Sequence, residues 1–253
     1  MELQDLLYSQ GFGTRRVCAG LIQQGLVELA AEDSDKAWEV CTDVTAHCDV
    51  DRALGFRVQG VQWPYCTKAY IALHKPAGTE CSQKPSRYPS VYTLLPACLR
   101  QRPARGSVQG VQAIGRLDQD TTGLLVLSDD GQFIHAMSSP KKHVPKVYQV
   151  QAKHPVTPSQ IARLLEGVVL EDDPRPVRAA ACVQVGEHAI DLTLTEGKYH
   201  QVKRMLAAVG NRVEQLHRHR IGGYTLPADL APGQWTWLTP EALRALRSNP
   251  DLS

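Results

Sequence analysis

The sequence predicts an α+β fold, with a large, mostly antiparallel or mixed sheet preceded by a small N-terminal α/β module. Three observations lead there. Seven apolar runs of strand length lie between residues 70 and 216, and the four helical segments expected beyond residue 68 are too few for a doubly wound parallel sheet. No Gly-x-x-x-x-Gly-Lys or Gly-x-Gly-x-x-Gly string follows a strand, so no nucleotide cofactor is expected. The first sixty residues also differ from the rest in charge. They hold ten acidic side chains against five basic ones, whereas the chain as a whole carries +2, which leaves the remainder at a net +7.

In chain order, Leu3, Leu6 and Leu7 recur at helical spacing. Gly11-Phe12-Gly13-Thr14 breaks that helix and caps a second, whose apolar stripe of Val17, Cys18, Leu21 and Ile22 ends at Gly25. Val27 and Leu29 begin a strand. Residues 1–60 are therefore expected to form one module, 61–67 a linker and 68–253 the larger domain. Strands in that domain are expected at 70–73, 111–114, 124–127, 147–150, 177–185, 190–194 and 213–216, from their alternating or continuous apolar residues. Helices are expected at 132–137, 159–165, 199–208 and 241–246.

A hydrophobic content of 43% with 21% charged residues is that of an ordinary soluble globular protein. No apolar run has bilayer length, and an N-terminus bearing Glu2 and Asp5 without a basic flank does not read as a secretory signal, so a cytoplasmic protein is expected, with no membrane partner. Seven cysteines, odd in number and irregularly spaced, point to reduced thiols. Cys41, His47 and Cys48 come nearest to a metal cluster but lack a fourth ligand at sensible spacing, so no metal is expected.

The chemistry is placed in the stretch Gly115-Arg116-Leu117-Asp118-Gln119-Asp120-Thr121-Thr122-Gly123. Two acids and two threonines between glycines hydrogen-bond their own backbone and hold a tight loop, which the apolar run 124–127 anchors in the core. Asp118 would project from a rigid mount. From the residues alone, such a loop is also an ordinary well-made turn. Basic side chains cluster around it at Arg100, Arg102 and Arg105, at Lys141, Lys142, His143 and Lys146, and from Lys198 to Arg220, a distribution suited to phosphates. His217 and His219 alternate with Arg218 and Arg220, so in a strand the two pairs face opposite sides, and the histidines are expected to touch RNA or solvent.

The glycine-bounded loop, together with YIALHKPAG (70–78), SPKKHVPKVYQV (139–150), EGKYHQVKRMLAAVGNRVEQLHRHRIGGYTL (196–226) and LAPGQW (230–235), resembles the pseudouridine synthases. The resemblance covers roughly residues 68–246, and within the family SPKKHVPKVY and LHRHRIGGYTL are most similar to the enzymes of small-subunit rather than large-subunit ribosomal RNA. It implies the family's sheet, no cofactor, and a monomer acting on ribosomal RNA or an assembling small subunit. It also implies that Asp118 is the nucleophile or base, that Tyr148 stacks on the target base, that Lys203 pairs with the catalytic carboxylate with Arg204 as a rival, and that Leu206 lines the base pocket. Arg116 would enter the RNA where the base has left. Lys141, Lys142 and Lys146 would contribute RNA contacts.

The first module looks like a small RNA-binding module shared with a ribosomal small-subunit protein, with Arg15 and Arg16 opening its second helix. It departs from that pattern where the acidic run 31–35 replaces the usual glycine turn. Three other readings remain at this point: a synthase of large-subunit ribosomal RNA, an RNA-binding assembly factor without chemistry, and a glycoside hydrolase using Asp118 and Asp120 as paired carboxylates.

Overall fold

The computed structural model describes residues 1–30, 38–50, 55–103, 109–139, 142–171 and 173–249. The acidic run 31–35, Arg105 and Lys141 lie outside the described residues. The chain divides into two compact units, one of Met1–Ala69 with Leu95–Gln112 and Ser128–Asp130, the other of Tyr70–Leu94, Ala113–Leu127 and Gly131–Ser253.

In the first unit the helices α1 (Leu3–Ser9) and α2 (Arg15–Gln23) are followed by β1 (Val27–Ala30), β2 (Trp38–Val40), β3 (Gly55–Val58) and β4 (Val61–Pro64), and α3 (Ala97–Arg100) belongs to the inserted segment. Thr14 caps α2 as expected, its hydroxyl accepting from the Val17 amide. The strands form an antiparallel sheet of order β2-β1-β3-β4. Leu3, Leu6, Leu7, Cys18, Ile22, Val27 and Phe56 make its core without solvent exposure, and Phe12 meets the Phe56 and Trp63 rings edge-on.

The segment expected as a linker begins with a strand. Gln59 and Gly60 both adopt left-handed backbone (φ 51° and 78°), which makes the tight two-residue turn that folds 61–64 back onto β3. Residues 95–112, expected in the larger domain, belong to this first unit, and Arg102 shows why. Its guanidinium is 3% exposed and donates to Asp129 Oδ2 at 2.6 Å, Gln10 Oε1 at 2.9 Å and the Cys66 carbonyl at 2.7 Å. Asp129 in turn accepts from the Ala69 amide. Arg102 is therefore an internal tie and leaves the expected phosphate-binding cluster; Arg100, nearby, stays exposed.

The second unit comprises β5 (Tyr70–Lys75), a 3-10 turn at Val91–Leu94, β6 (Gln112–Ala113), β7 (Thr122–Ser128), α4 (Gly131–Ser138), β8 (Lys146–Ala152), α5 (Pro158–Glu166), β9 (Val168–Leu170), β10 (Asp173–Val177), β11 (Ala181–Gly186), β12 (Ala189–Leu194), α6 (Gln201–Ala208), β13 (Val213–Ile221), β14 (Tyr224–Thr225), β15 (Trp235–Trp237) and α7 (Pro240–Leu246). The sheet runs β11-β12-β8-β13-β7-β5-β15, with β14 beside β13 and β6 beside β7. β11-β12-β8-β13 and β5-β15 pair antiparallel while β13 and β7 pair parallel, so the expected α+β sheet is mixed at its centre. β7 is buried from Gly123 to Ser128, which explains its unbroken apolar run. Gly123 (φ 109°) must be glycine, because a Cβ there would run into the Arg218 backbone of β13.

Three elements differ from expectation. β13 extends to Ile221 because it is a central strand, its alternate positions Leu216, Arg218 and Ile221 buried, with a register shift between Arg218 and Arg220. The long run 177–185 splits, Val177 ending β10 and Ala181 opening β11. α6 starts at Gln201, since His200 has a left-handed backbone (φ 48°) that a helix cannot absorb. One apolar cluster joins β8 and β12 to α5 and α6, and another joins β5 and β7 to α4 and α7. No helix among the described residues is long and apolar enough to cross a membrane.

Replacing Arg102 with Met leaves Asp129 buried without its cation. It should destabilise the protein by about 3–5 kcal/mol, read as a fall in the urea midpoint; an unchanged midpoint would refute the internal tie.

Candidate active site

A cleft of ≈ 530 Å³ opens in the second unit where the two apolar clusters meet. Ile114, Val126, Met137 and Ile221 come from one cluster and Leu194, Val202 and Leu216 from the other, while Asp118, Tyr148, Lys146 and Arg218 supply polar groups. A volume of this size suits one nucleotide-sized group.

The loop that carries Asp118 is bound from beneath. Lys75, at the end of β5, is wholly buried, and its ammonium donates to the carbonyls of Thr121 (2.9 Å), Pro76 (3.0 Å) and Gln119 (3.4 Å). The Gly78 amide also donates to Gln119, at 2.7 Å, and the Thr121 amide closes the turn onto the Asp118 carbonyl at 3.1 Å. Burial pulls the Lys75 pKa down, while Cys81, Asp120 and Asp118 oppose that shift. The loop then enters β7, where the Thr122 hydroxyl meets His217 Nδ1 at 2.8 Å. Of the paired groups in β13, His217 is thus tied to β7 and half-buried, and burial followed by the charge of His74 lowers its pKa.

From α6, Lys203 reaches both acids of the loop, Asp120 at 2.6 Å and 2.9 Å and Asp118 at 3.4 Å. Burial alone would raise the Asp120 pKa, but the Lys203 hydrogen bond and charge prevail and lower it. The adjacent Arg204 donates to the Tyr199 carbonyl at 3.0 Å. His200 Nε2 lies 3.4 Å from Asp118 Oδ1, and its ring stacks on exposed Tyr199 with centroids 3.8 Å apart. Asp118 keeps 26% of its side chain exposed, enough for a substrate to reach it. A carboxylate held this way can act as a nucleophile or as a base. No group of three or more His, Cys, Asp or Glu among the described residues is placed to hold a metal.

Tyr148 projects from β8 into the same cleft, with the Arg218 guanidinium 6.0 Å from its ring centroid. Arg116 is exposed at the cleft mouth and Lys142 is exposed after α4. Two expected site residues sit elsewhere. Leu206 is fully buried in the core with Met205 and does not line the cleft; Val202, one turn earlier on α6, does. Lys146 is not part of an outer basic patch, since the pleat of β8 puts it on the Tyr148 side, inside the cleft. Two contributors escaped sequence reasoning, and a third, Arg218, was grouped with the phosphate-suited residues 198–220 although it is buried. Lys75 could have been suspected as a lone cation ending an apolar strand. His200 had no local signal, because its contact depends on the left-handed turn.

Residues 69–208 match the family described as RNA pseudouridylate synthase. An uncharacterized RNA pseudouridine synthase of Bacillus subtilis (strain 168), YtzG, is 37% identical over 250 residues, 97% of this chain and 98% of that protein. Ribosomal small subunit pseudouridine synthase A of Escherichia coli (strain K12) is 41% identical over 177 residues, 70% of this chain and 73% of that protein. A crystal structure of a pseudouridylate synthase superposes with a TM-score of 0.64 at 30% identity, covering 97% of this chain and 99% of that one.

Lys75→Met removes the donors under the loop and leaves buried carbonyls unpaired. It should cost about 1–3 kcal/mol in stability and lower the catalytic rate more than RNA affinity, as a stopped assay beside a binding titration would read. Equal losses in rate and affinity would point to general unfolding instead.

Proposed function

The chain belongs to the RNA pseudouridylate synthase family, and from that premise we propose that it isomerises one uridine of small-subunit ribosomal RNA to pseudouridine. The observation that carries this reading is Asp118 held over the cleft beside Tyr148, with Lys203 across from it. A carboxylate at the mouth and an aromatic ring inside are what a nucleotide turned out of its stack requires. The ring replaces lost stacking, and the carboxylate opens the exchange of the ribose bond from nitrogen to carbon. The reaction is redox-neutral and consumes no co-substrate.

Small-subunit RNA is favoured by the kinship with the small-subunit enzyme of E. coli. Naked RNA and an assembling subunit both present the phosphates that Arg116, Lys142 and Lys198 face. The same reading takes the enzyme to be a cytoplasmic monomer, which the oligomeric state in solution would test. The presence of Asp118, Tyr148 and Lys203 together weighs against an assembly factor without chemistry. Asp120 is turned to Lys203, which weighs against a paired-carboxylate glycosidase. In the first unit Arg15 pairs with Asp5 at 2.9 Å and lies over the Tyr8 ring, which leaves Arg16 as the more available cation of the expected pair.

Asp118→Asn should fold and bind RNA yet form no pseudouridine when ribosomal RNA is mapped in cells carrying it as the sole copy; wild-type modification there would refute the assignment. Asp120→Asn should retain measurable activity. Lys142→Ala should weaken binding and lower the salt slope by about 0.7–0.9. A double Arg15/Arg16→Ala variant that loses far more affinity than Lys142→Ala would move the main RNA anchor to the first unit.

A further inference from the structure

The floor of the cleft holds two cations without an acid. Arg218 is 2% exposed, and its Nε donates to the Leu124 carbonyl at 2.9 Å while its Nη2 has no hydrogen-bond partner. Lys146 donates to the Val144 carbonyl at 3.1 Å, one of the three bonds an ammonium can make. Arg218 lies opposite Tyr148 in the β13–β8 register and Lys146 two residues before it, so all three share one face of the sheet and line the cleft with Asp118. Among the described residues, neither cation has a carboxylate within ion-pair distance. Burial and the neighbouring Arg218 charge bring the Lys146 pKa down to about 8, as expected of a partly buried cation beside another.

A structural role accounts for Arg218 Nε but not for its idle Nη2 or for the second cation. Buried charges without a counter-ion are costly, so a ligand group that accepts hydrogen bonds or carries negative charge belongs there. A backbone phosphate is a poor match, because the exposed cations that suit phosphates, Arg116 and Lys142, lie outside the floor. What reaches the floor, past Tyr148, is the group attached to the sugar whose anomeric carbon stands at Asp118. That group is the pyrimidine.

Each way a carboxylate can open the reaction puts negative charge on this ring. Attack on C1′, or removal of the C2′ proton, breaks the C1′–N1 bond and leaves its electron pair on N1, shared with O2 and O4. Addition at C6 sends the pair through C5 to O4. In every route the C1′–C5 bond then forms, C5 gives up its proton and N1 takes one up, while the carboxylate leaves C1′ or C6, or gives its proton back to C2′, so the formula is unchanged. Resting on the pseudouridine synthase reading, we infer that Lys146 and Arg218 bind the carbonyl oxygens of the flipped uracil and stabilise the charge it gains on leaving the ribose.

The test uses the full-length enzyme and an RNA in which the wild type forms pseudouridine, with single-turnover rate at saturating RNA and RNA affinity measured separately. Lys146→Met should lose on the order of 100-fold in rate, as when one oxyanion donor is removed. Its affinity and salt slope should stay near wild type, since phosphates dominate both, and Lys146→Arg should recover much of the lost rate. If Lys146→Met melts early, Arg218→Lys is read in the same way. An unchanged rate, or a loss of affinity and salt slope with the saturating rate intact, overturns the assignment and makes the floor a phosphate site or an inert one. If the wild type forms no pseudouridine in any ribosomal RNA, the underlying reading fails, and this one with it.

Discussion

One buried ammonium underlies the site. Among the described residues Lys75 has no side-chain acid at hydrogen-bond distance; it directs its donors to three backbone carbonyls of its own strand end and of the loop that follows Asp118. A carbonyl is a directional acceptor, so this bond set fixes backbone rather than a side chain. With the Gly78 amide on Gln119 and β7 buried behind, the loop has little freedom to tilt Asp118. The desolvation that lowers the Lys75 pKa is the cost of that rigidity.

Charge in the cleft is graded by depth. At the mouth, Lys203 lies between two carboxylates and leans closer to Asp120 than to Asp118. Asp118 is thus not consumed in a tight ion pair, and Asp120 takes up most of the cation. Deeper in, Lys146 and Arg218 have no acid within ion-pair distance among the described residues. A substrate that is neutral at rest and negative in passage fits this gradient, with the proposed acid beside its sugar and the proposed cations beside its base.

Much of this was legible in the sequence, for physical reasons. The apolar run of β7 and the acids and glycines before it state their structure locally, and the pattern of strands with few helices excludes a doubly wound sheet. Tyr148 and Lys203 were singled out through motif resemblance; Tyr148 lines the cleft with Asp118 and Lys203 lies 3.4 Å from it. Leu206 was misread because a leucine on an amphipathic helix can face either the cleft or the core, and only the packing of α6 decides. Arg102 looked like one of a basic cluster, yet its burial depends on Gln10, Cys66 and Asp129, far apart in the chain. Lys146 was grouped with Lys142 by sequence proximity, although the pleat of β8 separates them. Long-range contacts of this kind leave no local trace in composition or periodicity.

The most direct test is a crystal structure of the Asp118→Asn variant with a uridine-bearing small-subunit RNA strand. The target nucleotide should lie out of its stack, with its base against Tyr148, its O2 or O4 within hydrogen-bond reach of Lys146 or Arg218, and its ribose C1′ beside residue 118. A base bound outside the cleft, or a ribose turned away from residue 118, would contradict it.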